Sequence, residues 1–342
     1  MKTLIIKEQP LTEETLQRLN QIIHQGDLVV FPTETVYGIG GNALDEHAIA
    51  KIYAAKGRPS DNPLILHIAH EDMLSSIVED VSEDAKALMR CFWPGPLTLV
   101  FKKKESISPR LTGGLDTVAV RFPNHPMARQ IIATANVPLA APSANLSGRP
   151  SSTLFEHVYE DLYGKVFALV DGGPSTLGLE STVLDVSGDV PVLLRPGSIS
   201  ADMIETVLQK PIIASQPTKA DDVPKAPGMK YQHYQPRGTV KLFDGPESFM
   251  VQAMSEAIKQ SKARNLAVIA VDEIAPLLPA CTLYPWGSLY DPETLAKRLY
   301  ERLRNMDEGH HDEIIVHGLL EDPLSQAVMN RLEKAAHEII KK

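Results

Sequence analysis

LTEETLQRLNQIIHQGDLVVFPTET, residues 11–35, carries the reading that decides the fold. Its first half predicts an amphipathic helix over 12–25. Leu16, Leu19, Ile22 and Ile23 recur at helical spacing, Thr12 is the N-cap, Glu13 and Glu14 sit in the first turn, and Gly26 ends it. Its second half, Leu28-Val29-Val30-Phe31, reads as a buried strand stopped by Pro32. The polar PTET that follows sits where sites tend to be built, just past a strand end. Alternation along an extended chain puts the Thr33 and Thr35 hydroxyls on the same side of it.

Outward from this stretch, strands are predicted at Leu64–Ile68, Leu97–Phe101, Val118–Phe122, Phe167–Val170, Thr182–Val186 and Val192–Leu194. Helices are predicted at 45–55, with Asp45 as cap and Gly57 past its end, and at 83–92, 125–135 and 200–208. Strands and helices are mixed without strict alternation. This favours an α/β fold with a mixed twisted sheet flanked by helices over a simple doubly wound sheet. From 209 to 238 the periodicity fades into IIASQPTKADDVPKAPGMKYQHYQPRG, which reads as a linker that folds back as a functional lid. Beyond it, strands at Val240–Phe243, Leu266–Val271 and Glu313–Val316 and helices at 247–262, 291–305 and 324–340 predict a small Rossmann-like α/β domain. No G-x-G-x-x-G follows any of those strands. The expected division is 1–208, 209–238 and 239–342.

Composition narrows the class. The 342 residues allow two domains, and 43% hydrophobic residues suffice for a core. No stretch nears the roughly 18 apolar residues of a membrane span. The apolar run in MKTLIIKEQPL is too short for a signal peptide, so a cytoplasmic chain is expected. A net charge of −9 argues against coating nucleic acid through a broad basic surface. Lys102-Lys103-Lys104, the one dense basic run, reads as a solvated turn after a strand. Cys91 and Cys281 have no metal-type spacing and read as small buried hydrophobes. His310-His311, near Asp307 and Asp312, reads as a loop before a strand rather than a metal site.

Two short motifs carry chemistry. Lys56-Gly57-Arg58, in AAKGRPSDNPL, supplies two cations. Ser143-Ala144-Asn145, in AAPSANLSGRPS, supplies a hydroxyl and a carboxamide. Together they suit a phosphate-bearing ligand bound without a Walker loop. Around them stand FPTETVYGIG (31–40), NPLILHI (62–68), FWPGPLTLVF (92–101), GLDTVAVRFP (114–123), DGGPSTLGLESTV (171–183), LLRPG (193–197) and APGMKYQHYQP (226–236). This ensemble resembles the long-form threonylcarbamoyl-AMP synthase family, in which a YrdC-type catalytic domain precedes a smaller C-terminal domain. The motifs span about 29–236, and the C-terminal third carries none.

The resemblance implies a nucleotidyltransferase. ATP, L-threonine and bicarbonate or CO2 give threonylcarbamoyl-AMP and pyrophosphate, for N6-threonylcarbamoyladenosine formation in tRNAs reading ANN codons. It implies that Thr35, His67, Arg121, Ala141 and Ser181 hold threonine. Arg58, Asn62, Thr117, Ser143, Ser151, Arg195 and Tyr231 are implied to hold ATP, with Asn145 serving phosphate or base. Lys56 and Arg58 are the expected catalytic residues, Lys56 as a point charge for the carbamate or the α-phosphate. Lys230 is a further phosphate candidate, and His233 and Tyr234 belong to the lid. Mg²⁺ is expected with ATP. No dedicated carboxylate cluster marks a protein metal site, and Glu34, Asp171 and Glu180 are only candidates for a supporting role. Gly172-Gly173 reads either as a close approach to ligand or as a structural turn. Expected partners are a downstream tRNA threonylcarbamoyl transferase complex, met transiently, and weakly bound tRNA, with no membrane. Two other readings remain: a carbamoyl-adenylate-forming enzyme, and an RNA-binding module.

Overall fold

The computed structural model describes residues 2–215, 224–226, 233–319 and 322–342. The chain divides into two compact units. One comprises Met1–Ser147, Ser151–Thr176 and Glu180–Tyr231. The other comprises Gly148–Pro150, Leu177–Leu179 and Gln232–Lys342.

The first unit is built on β1 (Leu4–Ile6), β2 (Val29–Phe31), β3 (Gly38–Asn42), β4 (Ile65–His67), β5 (Leu97–Lys102), β6 (Thr117–Arg121), β7 (Leu139–Ala140), β8 (Ala168–Val170), β9 (Thr182–Asp185), β10 (Val192–Arg195) and β11 (Ile213–Ala214). Among the described residues these form one sheet in the order β1-β8-β2-β3-β7-β4-β6-β5-β9-β10-β11. It is mixed, as expected: β4–β6 and β5–β9 are parallel, whereas β5–β6, β3–β7 and β9–β10 are antiparallel.

Side-chain alternation gives the two faces different jobs. Leu28, Val30, Leu66, Leu97, Leu99, Val118, Val120 and Leu184 enter one large core with Ile49, Ile52 and Leu88 of the helices Glu46–Lys56 and Glu83–Phe92. On the opposite face, Val29, Phe31, Ala168 and Val170 lie under the helices Glu13–His24 and Pro126–Ala135. Farther along that second face, Ile65, Val100, Ala119, Val183 and Leu194 meet only Ala226 among the described buried residues of their cluster. The same parity puts His67, Thr98, Thr117 and Arg121 on this half, whose apolar cluster includes no helix residue among the described residues.

The helix ends follow the predicted capping chemistry. The Thr12 hydroxyl accepts from Thr15 N at 3.3 Å, and the Asp45 carboxylate from His47 N at 2.8 Å. Gly57 closes the second helix in the left-handed region, φ 61°, which turns the chain between Lys56 and Arg58. Lys102-Lys103-Lys104 departs from the expected turn, because Lys102 ends β5, Lys103 bridges to Val78 and the turn follows at 105–106; the Lys103 ammonium donates to Ile107 O at 3.0 Å, and that of Lys104 to Ser75 O. Cys91 departs from expectation, because it is exposed. Two residues beyond buried Met89, it falls on the solvent side of its helix. Cys281 is half-buried, and that burial raises its thiol pKa.

The second unit is a parallel α/β sheet of β12 (Thr239–Asp244), β13 (Leu266–Ala270), β14 (Thr282–Pro285), β15 (Glu313–His317) and β16 (Glu338–Lys341), in the order β14-β13-β15-β12-β16. The helix predicted over 324–340 stops at Ala335, and β16 pairs with β12 instead. Ile339 and Ile340 gain more as β-branched residues beside Leu242 and Phe243 than as an extra helical turn. Gly148–Pro150 belongs here because Arg304, 1% exposed, donates to Pro150 O at 2.7 and 3.2 Å. Arg149 pairs with Asp307 at 3.3 Å. His310-His311 forms a turn before β15, with the His311 ring 2.8 Å from the Tyr284 hydroxyl.

Candidate active site

On the half of the sheet that carries His67 and Arg121, residues distant in sequence converge. β4 and β6 run parallel with His67 beside Arg121, and β5 runs antiparallel with Thr98 opposite Arg121. Arg121 is 4% exposed. Its Nε donates to Gly95 O at 3.3 Å and its Nη1 to Thr35 Oγ1 at 2.7 Å, while Nη2 lies 2.7 Å from a Glu34 carboxylate oxygen. The Thr33 and Thr35 hydroxyls meet at 2.9 Å. The cause is a hydroxyl turn rather than strand alternation: Thr33 Oγ1 accepts from the backbone N of Thr35 and Val36 at 3.2 and 3.3 Å. Ala141 continues from β7, its N donating to Ile65 O at 2.9 Å.

His67 has its pKa lowered from 6.5 to about 3, first by burial, then by the Arg121 charge, with the Ile65 backbone opposing. The imidazole is therefore neutral across the physiological range, a hydrogen-bonding group and not a second cation. In the unfolded chain it titrates near 6.5, so between pH 6.5 and 3 the unfolded state holds the extra proton. Stability should accordingly fall with acidification through that window, by up to about 1.4 kcal/mol per pH unit from this group. Urea unfolding of wild type and His67→Gln at pH 7 and 5 checks this: the variant should lose less stability than wild type.

Sequence reasoning missed Thr98. It is 0% exposed, and its hydroxyl lies 2.7 Å from that of Ser181. Arg195 grips the same serine, with Nε to Ser181 O at 3.1 Å and Nη2 to Ser181 Oγ at 3.2 Å. The one available signal was a lone threonine within the apolar strand LTLVF, on the face opposite the leucines. Thr98→Val keeps the shape and removes one of the two contacts of the Ser181 hydroxyl, leaving the one from Arg195. The expected result is a loss of about 1–2 kcal/mol of stability, measured by urea unfolding.

The two motifs singled out for phosphate chemistry also meet. Lys56, 2% exposed, donates from Nζ to the Ser143 carbonyl and, at 2.6 Å, to the Asn145 carbonyl. The Asn145 amide donates to Leu146 O at 2.8 Å. Arg58 follows the Gly57 turn and donates to Pro63 O at 3.1 Å and Asn62 O at 3.4 Å. Ser143 bridges to Gly38, and buried Ser151 donates to Glu180 Oε1 at 2.6 Å. Thr117 opens β6 opposite Lys102, on the same face as Arg121. Tyr231 and Lys230 lie outside the described residues. His233 and Tyr234 are described in the second unit, where the Tyr234 ring packs 5.1 Å from that of Tyr300. Among the described residues no group of three His, Cys, Asp or Glu side chains is arranged to hold a metal. Asp171 accepts from Gly173 N at 3.0 Å. Gly172 is glycine for packing, since a Cβ there would lie 2.3 Å from the Pro32 ring.

Residues 21–197 match the family described as "Telomere recombination", and residues 199–337 match "Threonylcarbamoyl-AMP synthase, C-terminal domain". The chain is 44% identical to the threonylcarbamoyl-AMP synthase of Pyrococcus abyssi, over 99% of both chains. The chain belongs to the threonylcarbamoyl-AMP synthase family. The Bacillus subtilis member is 44% identical over 92% of this chain and 91% of its own. A crystal structure of P. abyssi Sua5 complexed with L-threonine superposes with a TM-score of 0.91, at 42% identity and 100% coverage of each chain. Threonylcarbamoyl-AMP synthases of this long form carry both matched domains, and the motifs at 29–236 fall in the first domain and at the start of the second.

Proposed function

We propose that the chain condenses L-threonine, bicarbonate or CO2, and ATP into threonylcarbamoyl-AMP and pyrophosphate, the adenylate used for N6-threonylcarbamoyladenosine formation in tRNAs reading ANN codons. The observation that carries the reading is the convergence of Arg121, Thr35, neutral His67 and Ser181 in one buried cluster. It offers a cation for a carboxylate and uncharged groups for a small polar amino acid.

The reaction balances in two steps. The threonine ammonium gives up a proton to solvent, and the free amine adds to CO2 and releases a second proton, giving a carbamate that keeps one N–H. A carbamate oxygen then attacks the α-phosphorus, and pyrophosphate leaves. Arg121 takes the threonine carboxylate, while Thr35, His67, Ser181 and the Ala141 backbone orient the rest. Arg58 and Arg195 face the phosphates. Asn62, Thr117, Ser143, Asn145, Ser151 and Tyr231 hold the nucleotide, and Mg²⁺ arrives as part of the Mg·ATP substrate. Lys56 secures the loop that carries Ser143 and supplies positive charge there. Catalysis in this scheme is positioning and charge stabilisation.

Residues 1–208 act as the catalytic domain, 209–238 as a lid and 239–342 as the C-terminal domain. Ala226, 0% exposed against Ile65, Val100, Ala119, Val183 and Leu194, supports a lid that lies on that half of the sheet. Lys225 adds an ion pair to Asp185 at 3.2 Å. The product is a labile mixed anhydride, so it passes in the cytoplasm to a tRNA threonylcarbamoyl transferase complex. No helix among the described residues is long and apolar enough to cross a membrane.

Pyrophosphate release from Mg·ATP, with threonine and bicarbonate omitted in turn, tests the reading. Release should require both. Release indifferent to threonine would replace this reading with a carbamoyl-adenylate activity, and none under any condition would overturn it.

A further inference from the structure

We infer that Glu34 is a positioning residue that locks Arg121 into the orientation in which it receives the threonine carboxylate, an inference that rests on the assignment of Arg121 to that carboxylate. Glu34 sits in the middle of PTET, between the two threonines whose hydroxyls meet. Its backbone is fixed on both sides: the Thr33 hydroxyl turns the chain, and the Glu34 carbonyl accepts from Thr176 Oγ1 at 3.3 Å. Its side chain is 9% exposed, and both carboxylate oxygens are closed off from solvent. A carboxylate in that position costs free energy unless it is paired. The pair is Arg121 Nη2 at 2.7 Å.

From the arginine's side the arrangement is equally specific. Each nitrogen has one assignment: Nε to the Gly95 carbonyl, Nη1 to the Thr35 hydroxyl, Nη2 to Glu34. Nη2 is itself enclosed, and its contact with Glu34 is a close ion pair, since neither Glu34 oxygen accepts a hydrogen bond from a described residue. Glu34 therefore holds one end of the guanidinium, and the Nη1 edge beside Thr35 is the end presented to a substrate carboxylate. A guanidinium is otherwise a rotamer-rich group, and fixing it before substrate arrives removes that ordering cost from the binding step. Glu34 also neutralises a buried cation that would otherwise draw the side chain toward solvent.

Pyrophosphate-release kinetics on the full chain, with KM measured separately for threonine and ATP, test this in Glu34→Gln, Glu34→Asp, Arg121→Gln and the Glu34→Gln/Arg121→Gln double variant. Glu34→Gln keeps the size and removes the charge. It should raise the threonine KM about tenfold or more while the ATP KM stays within about twofold. Glu34→Asp should recover part of that loss, which also keeps the test open if the glutamine variant fails to fold. In the double variant the threonine KM should match that of Arg121→Gln within about twofold, because a lock has no effect once its bolt is gone. A threonine KM in Glu34→Gln that is unchanged, or lower than wild type, overturns the inference. So does an ATP KM that rises in parallel with it. If instead Arg121→Gln leaves the threonine KM untouched, the assignment of Arg121 fails, and this outcome is distinct from failure of Glu34 alone.

Discussion

Lys56→Met is expected to lower kcat for pyrophosphate release about a thousandfold and to destabilise the catalytic unit by about 2–4 kcal/mol. Lys56 ends the helix Glu46–Lys56, at the pole where a cation is favoured, and its ammonium bridges two carbonyls of Ser143-Ala144-Asn145. Methionine fills the space and donates nothing, so two carbonyls lose a buried donor. The loop that should present Ser143 to the nucleotide then loses its anchor, and the phosphate region loses a charge. Lys56→Arg should rescue little, because a planar fork does not reproduce a compact ammonium aimed at two converging carbonyls. Urea unfolding measures the loss of stability, and steady-state pyrophosphate release the loss of kcat. A kcat within tenfold of wild type would remove Lys56 from the reaction.

Arg121→Gln should raise the threonine KM at least about a hundredfold, with a much smaller effect on the ATP KM. It should also cost about 3–5 kcal/mol of stability, because Glu34 is left as a buried, unpaired carboxylate. The two consequences are separable, since unfolding reports the orphaned charge and the ratio of the two KM values reports the lost carboxylate contact. Equal losses toward both substrates would mean that the arginine only holds the sheet together. Full stability with lost threonine binding would mean that Glu34 finds another partner.

The helices and their ends were readable because their causes are local. Thr12, Asp45 and Gly57 act on backbone groups within a few residues, so their roles follow from position alone. Strands that are short, nearly continuous apolar runs, such as Leu97–Lys102 and Thr117–Arg121, were readable for the same reason. The elements that escaped have causes elsewhere in the chain. Gly38–Asn42 is GIGGN, with almost no side-chain signal, and is a strand because β2 and β7 flank it. Leu139–Ala140 is only two residues, held by β3 and β4. Glu338–Lys341 reads as the tail of a helix until β12 offers it a partner. The exposure of Cys91 was a local matter that composition alone could not resolve.

For the site, the sequence by itself determined the residue types and the motifs that bear them: Lys56 and Arg58 around a left-handed glycine, the hydroxyls of PTET, the arginines at the ends of β6 and β10. It also determined which face each strand residue takes, because alternation is a local property of the extended chain. Only the tertiary structure decided who meets whom. Sheet order and register place His67 beside Arg121, Thr98 against Ser181 and Glu34 against Arg121, pairs separated by tens of residues in the chain. The physical reason is that each pairing is settled by competition among all strands for one sheet, and by the need of each buried charge or hydroxyl for a partner, neither of which is written in any single segment.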